Sequence, residues 1–120
     1  MLIAALRLLV CGGREYEDRK AVFRALDEVQ MAVGVAVLIH GAARGADTLA
    51  GEWAKSRGIS VLAFPADWNK HKQAAGPIRN SQMLKEARPT GVVAFPGGVG
   101  TEDMVDKALR AGLEVWRPYG

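Results

Sequence analysis

Three glycine-rich turns contain the residues of this chain that are best suited to bind an anion. The turns are Cys11–Arg14, His40–Asp47 and Pro96–Thr101, and each follows an apolar run and leads toward a predicted helix. Because glycine has no side chain, the N–H groups of such turns can approach a ligand closely. A helix that begins behind the turn adds unpaired donors and the positive end of its dipole. Together the turns predict one pocket for an anionic small molecule, such as a nucleotide or a phosphorylated sugar.

Charged side chains in or beside these turns could complete such a pocket. Arg14, Arg44 and Arg79 are suited to hold phosphate oxygens, because a guanidinium binds them through two parallel N–H bonds. The alternative for each arginine is a solvated surface position, but their placement at predicted loop ends favours ligand contact. Asp47 could cap its helix or accept hydrogen bonds from ligand hydroxyls. His40 could anchor its loop or transfer a proton.

An alternation of strands and helices must position these turns. Apolar segments predict strands over residues 6–11, 35–39, 59–64, 91–95 and 113–116. Helices are predicted over about residues 17–31, 46–57 and 76–87, and a last helix is capped by Thr101 and ended by Gly112. This pattern predicts an α/β fold, a single Rossmann-like domain over residues 1–120 with three layers. Its five-stranded parallel sheet has the order 3-2-1-4-5 with helices on both faces, which places the loops after strands one and four side by side.

Composition excludes several classes of protein. The chain has 120 residues, a hydrophobic fraction of 49%, a net charge of +3 and one cysteine, so no intrachain disulfide can form. We expect a cytoplasmic protein, since a single cysteine fits a reducing compartment. No apolar run reaches the ~20 residues of a membrane helix. Arg7 interrupts the apolar start, residues 1–11, which predicts a buried strand rather than a signal peptide.

The motifs resemble one family in particular. The dinucleotide fingerprint G-x-G-x-x-G and the P-loop are absent, which argues against NAD-dependent hydride transfer and P-loop hydrolysis. The strings that are present resemble, in their order, the YspA-like (DUF2493) branch of the SLOG superfamily. That superfamily includes the LOG-type phosphoribohydrolases and the Rossmann domain of DNA-processing protein A. The strings are Gly12-Gly13-Arg14 with Tyr16 and Asp18, His40 to Asp47, Phe64 to Trp68, Ala75 to Asn80, and Phe95 to Thr101.

The resemblance implies a Rossmann-like fold and a pocket for a nucleotide or a nucleotide-derived ligand, for example of ADP-ribose type. It implies no firm cofactor, and some relatives are thought to sense such ligands rather than to transform them. The ligand's phosphate is expected on the loops after strands one, two and four. The expected binding residues are Gly12, Gly13, Arg14, His40, Gly41, Arg44, Gly45, Asp47, Arg79, Asn80, Pro96, Gly97, Gly98, Gly100 and Thr101.

Catalysis is left open by one departure from the family pattern. LOG enzymes pair an arginine with the glutamate of P-G-G-x-G-T-x-x-E; Arg79 matches the arginine, but Met104 stands at the glutamate position. Methionine cannot exchange a proton, so cleavage of the N-glycosidic bond of nucleoside 5′-monophosphates would need Glu102 or Asp103 instead. Ligand binding is the favoured function and this cleavage the alternative. Single-stranded DNA binding, by likeness to the DNA-processing relative, is the least favoured because no basic stripe is present.

Several smaller expectations complete the sequence analysis. Glu102 and Asp103 suit a first helical turn but would repel a phosphate there, so their carboxylates are expected to turn outward. Trp68 and Tyr16 could stack on a base or pack down their own loops. We expect no metal site, because residues 67–72 lack metal-ligand spacing, and no membrane partner. Likeness to LOG relatives predicts a homo-oligomer, such as a homodimer.

Overall fold

The computed structural model describes residues 4–120, so the first three residues of the apolar start lie outside the described part. All strands of its five-stranded sheet run parallel, and their order is β3-β2-β1-β4-β5. The predicted fold class and strand order are therefore confirmed. The strands are β1 Leu6–Cys11, β2 Val35–His40, β3 Ser60–Ala63, β4 Gly91–Ala94 and β5 Val115–Trp116.

Helices cover both faces of this sheet. One face packs on the first two helices around Leu26, Trp53 and Phe95, and the other packs on the last two around Met83 and Met104. In residues 4–120, no helix combines the length and the apolar character that crossing a membrane requires. The helices are α1 Arg19–Ala32, α2 Ala46–Ser56, α3 Trp68–His71, α4 Ala75–Gln82 and α5 Val99–Arg110, with a 3-10 turn at Lys72–Ala74 and a π turn at Met83–Ala87.

Two details of the predicted elements are wrong near the site. Thr101 does not cap α5; the helix begins one turn earlier, with Gly98 as its N-cap, and Thr101 is buried in the first turn. The segment 65–75, which lies between the predicted elements, contains α3, because the carboxylate of Asp67 accepts a hydrogen bond from the N–H of Lys70 and caps a helical turn.

The third strand also differs from its prediction. A strand is predicted over residues 59–64, at the sheet edge by the predicted order; the observed β3 is shorter, Ser60–Ala63, and Val61 and Leu62 are each more than a third exposed. Only β2 lies beside β3 in the sheet, and the short α3 that follows it covers little surface. The last strand is likewise shorter than predicted, at Val115–Trp116.

Candidate functional site

The loops that follow β1 and β4 are joined where the two strands end. The N–H of Phe95 donates to the carbonyl of Cys11, and the N–H of Gly13 donates to the carbonyl of Pro96, both at 2.9 Å. A Cβ at Gly13 would lie 2.9 Å from the Pro96 oxygen, and a Cβ at Gly12 would lie 2.6 Å from the Cβ of Ala46. These glycines therefore let the loops pack directly against each other at the switch point of the sheet.

A cleft of about 460 Å³ opens beside these joined loops, at the carboxyl ends of the strands. It brings together most of the residues predicted to bind or transform a ligand. Those on its wall are Gly12, Gly13, Arg14, Gly41, Asp47, Arg79, Asn80, Gly98, Gly100, Thr101 and Asp103. Predicted residues that do not line it are His40, Arg44, Gly45, Pro96, Gly97 and Glu102.

The start of α5 is the most open part of this wall. The first backbone hydrogen bond here runs from the N–H of Glu102 to the carbonyl of Gly98, at 3.0 Å. The N–H groups that precede it have no partner within the helix. Among residues 4–120, apart from the chain neighbours and the backbone of α5 itself, no heavy atom lies within 4 Å of a Cβ built at Gly98 or Gly100. A ligand can therefore reach the backbone of this turn without displacing a side chain.

The two acidic residues of the first turn of α5 point to different surroundings. Glu102 is bonded to Arg117, which lowers its pKa, and it lies off the cleft wall. Asp103 lines the cleft, where it accepts hydrogen bonds from Lys107 Nζ at 2.8 Å and Asn80 Nδ2 at 3.0 Å. Partial burial by itself raises the pKa of Asp103, but the hydrogen bonds and the positive charge of Lys107 outweigh it, so the pKa of Asp103 is lowered. Of the two carboxylates expected to turn outward, only that of Glu102 lies off the cleft wall. The carboxylate of Asp103 stays on the wall, where Lys107 neutralises its charge.

The loop after β2 is held together by a buried carboxylate. Asp47 is only 6% exposed, and its Oδ2 accepts hydrogen bonds from the N–H groups of Gly41 at 3.1 Å and Ala43 at 3.2 Å. Burial raises the pKa of Asp47 to about 6, although these bonds and the guanidinium of Arg79 act in the opposite direction. The carboxyl group is therefore a hydrogen-bond acceptor near neutral pH and also part of the cleft wall.

Arg79 ties two loops together beneath the cleft. Its Nη1 donates to the carbonyls of Gly41 and Phe64, and its Nε donates to Oδ1 of Asn80 at 3.0 Å. A Cβ at Gly41 would lie 2.5 Å from this Nη1, so the glycine makes room for the guanidinium. Burial lowers the pKa of Arg79. Much of its hydrogen-bonding capacity is thus used to position the loops after β2 and β3.

Comparison with known proteins places this arrangement in a family. The model of the YspA, cpYpsA-related SLOG family (YAcAr) matches residues 6–71, more than half of the chain. The chain belongs to this SLOG family. It is also similar to the gene 61 protein of Mycobacterium phage D29, with 38% identity over 117 residues, which covers 91% of this chain and 93% of that protein. The resemblance inferred from the motifs is confirmed at the level of the family.

At the mouth of the cleft of this SLOG protein, an arginine stacks on an aromatic ring. The guanidinium carbon of Arg14 lies 4.8 Å from the ring centroid of Trp68, and both side chains are exposed on the cleft wall. Tyr16 does not line the cleft; its ring stacks on Phe95, with centroids 5.6 Å apart. Of the two aromatics considered for base stacking, only Trp68 is thus available to a ligand.

Two further residues predicted to bind the ligand, His40 and Arg44, have other partners in this SLOG protein. Nδ1 of His40 accepts the N–H of Ala42 at 2.9 Å, and burial followed by the charge of Arg79 lowers its pKa, so it is a neutral loop anchor. Arg44 is exposed and paired with Glu15 outside the cleft. Sequence reasoning missed several wall residues. Val10, Gln73 and Met83 lie outside the motif strings, and the others lie within them but carry no charged or hydrogen-bonding side chain: Ala43, Gly76, Pro77 and Val99.

Proposed function

We propose that this SLOG protein binds a nucleotide or a nucleotide-derived ligand, with a phosphate group on the first turn of α5. The observation that carries the proposal is the uncovered backbone at Gly98 and Gly100, which faces a cleft at the switch point of the sheet. The positive end of a helix dipole and its unpaired N–H groups attract a phosphate. Arg14 on the adjoining β1 loop adds an exposed positive charge.

The rest of the cleft suits the remainder of a nucleotide. Its volume of about 460 Å³ falls within the range of small-molecule pockets. The exposed ring of Trp68 offers a stacking surface for a base, and Arg14 already uses that surface in the absence of one. A phosphate at α5 and a base near Trp68 would place the two chemical ends of the ligand on different loops.

Isothermal titration against AMP, ADP-ribose, NAD and cyclic dinucleotides tests this proposal. We expect at least one of them to bind, and we expect the Gly100→Ala variant to bind it at least roughly 10-fold more weakly, because the added methyl group covers the anion-binding turn. The same variant should unfold at a higher urea concentration, since alanine favours a helix over glycine by roughly 0.5–1 kcal/mol.

Leu109→Ala, on the exposed side of the same helix, serves as the control and should bind the ligand like the unmodified protein. If none of the nucleotides binds, the proposal fails. If one binds and Gly100→Ala retains full affinity, the phosphate lies elsewhere.

Cleavage of the N-glycosidic bond of nucleoside 5′-monophosphates is a second candidate, supported by the carboxylate of Asp103 in the cleft wall. Met104 at the family's glutamate position is buried in the core and offers no such group. Incubation with nucleoside monophosphates, followed by chromatography for free base, tests it. Release of base that is lost in Asp103→Asn would support the enzyme, and release that persists in this variant would exclude Asp103 from the reaction.

A further inference from the structure

Only one of the two oxygens of the buried Asp47 carboxylate accepts hydrogen bonds from residues 4–120. Both backbone donors to Asp47 bond the same atom, Oδ2. Within residues 4–120, no group donates to Oδ1 of Asp47, and Arg117 Nε is the one side-chain N or O atom there that is both sealed from solvent and unpartnered. Oδ1 is therefore reached by solvent, and the cleft is the cavity whose wall contains Asp47.

The surroundings of Asp47 determine what this oxygen can bind. Arg79 from α4 and Arg14 from the β1 loop face it as cations, His40 at the end of β2 is neutral, and the buried Cys11 thiol lies nearby. These cations keep the carboxylate ionised near neutral pH, and an ionised carboxylate only accepts hydrogen bonds. It would repel a phosphate, so the ligand atom that meets it must carry a hydrogen.

The sheet order fixes where this donor lies relative to the phosphate. The loops after β2, β1 and β4 stand in a row, so the loop of Asp47 is two strands away from the start of α5. Two strand spacings amount to about 10 Å. A phosphate alone cannot contact both loops, whereas a sugar attached to that phosphate extends from one toward the other and carries hydroxyl donors.

We propose that Asp47 accepts a hydrogen bond from a ribose hydroxyl of the bound nucleotide, so that the site selects ribonucleotides over their deoxy counterparts. The proposal rests on the proposed function, since it assumes a phosphate at the start of α5. It assigns the sugar to the loop after β2, in addition to the phosphate at α5 and the base at Trp68.

Titration of AMP, 2′-deoxy-AMP and 3′-deoxy-AMP into the unmodified protein and into Asp47→Asn tests this selectivity. A hydrogen bond to a buried charged group is worth roughly 10-fold or more in affinity, so one of the deoxy nucleotides should bind at least that much more weakly than AMP. In Asp47→Asn, the carboxylate is replaced by an uncharged amide. The ratio of the affinities for AMP and for that deoxy nucleotide should then fall below about 3-fold. Asp106→Asn makes the same side-chain change on the exposed side of α5, away from the cleft wall; it is the control and should keep the ratio of the unmodified protein.

The outcomes separate the two proposals. Equal binding of the three nucleotides by the unmodified protein overturns the selectivity and leaves nucleotide binding intact. A ratio that persists unchanged in Asp47→Asn removes Asp47 from the assignment. Failure of AMP to bind at all, together with ADP-ribose and the other nucleotides above, overturns both proposals.

Discussion

The glycine-rich turns before α2 and α5 look alike in sequence but are filled differently. In the turn before α2, Asp47 occupies the loop and the N–H of Ala46 donates to the carbonyl of Gly13 at 3.1 Å. In the turn before α5, no other heavy atom of the described part of the chain, beyond the adjacent residues and the helix backbone, lies within 4 Å of the Cβ positions at Gly98 and Gly100. The first turn is closed by the protein's own groups, and the second is left uncovered.

This difference shows that glycine has two separate roles around one cleft. At Gly45, the backbone has a φ of +77°, and a Cβ would overlap the carbonyl groups of Gly13 and Arg14, so glycine is required by packing and conformation. At Gly100, neither condition applies. A glycine that the fold does not need is the better indicator of a ligand.

The largest effect is expected from Gly45→Ala, in the closed turn. Positive φ and overlap with two carbonyl groups should together reduce the free energy of unfolding by roughly 3–4 kcal/mol, measured by urea denaturation. Gly58→Ala is a matched control, because Gly58 has a φ of +70° with nothing within 4 Å, and it should lose only roughly 1–2 kcal/mol. Equal losses in the two variants would mean that the close approach to the β1 loop does not stabilise the fold.

A smaller effect of opposite sign is expected from Asp47→Asn. Burial raises the pKa of Asp47 from 3.8 to about 6. At pH 7 the ionised carboxylate therefore lowers the free energy of unfolding by up to about 3 kcal/mol, and the uncharged amide of the variant does not carry this cost. Between pH 6 and 4 the native carboxyl takes up its proton before the unfolded one does, and the unmodified protein regains this stability.

Urea denaturation at pH 7 and pH 4.5 should therefore show an Asp47→Asn variant that is more stable at pH 7 and loses this advantage at the lower pH. Burial also lowers the pKa of His40, but His40 is present in both proteins and its contribution cancels in the difference. A variant that is less stable at pH 7 would show that the charge of Asp47 holds the closed turn together.

The smallest effect concerns the two acids of the open turn. Asp103→Asn removes a charge from the cleft wall and frees Lys107, so the affinity for AMP should rise by roughly 5-fold, as removal of one charge at short range in solvent predicts. Glu102→Gln lies off the wall and should change the affinity by less than about 2-fold. Titration calorimetry measures both, and equal changes would contradict the different placement of the two carboxylates.

Much of the fold could be predicted because its signals are local. The apolar segments and the helical spacing of Val22, Ala25 and Leu26 lead to the observed strand order, since parallel strands with right-handed crossovers leave few arrangements. The exposure of Val61 and Leu62 does not follow from their apolar side chains; it follows from the edge position of β3, which the predicted strand order already implies. The start of α5 at Val99 lies earlier than predicted, because its N-cap is Gly98, which has no capping side chain that a sequence pattern could reveal.

The candidate site could likewise be predicted only in part. Motif residues such as Arg14, Gly98 and Asp47 could be named in advance and line one cleft, although a ligand there is still a proposal. The pairing of Glu102 with Arg117 joins residues far apart in the chain, and no local pattern indicates it.

The amino-acid sequence alone determined the order of strands and helices, the family and the set of glycine-rich turns, because these depend on neighbours along the chain. The tertiary structure alone decided which turn is closed and which is open, and which acid faces the cleft. These properties depend on atoms from other segments, as where Gly45 meets the carbonyls of Gly13 and Arg14 and where Asp103 bonds Asn80, and the space around a backbone becomes defined only when those segments pack together.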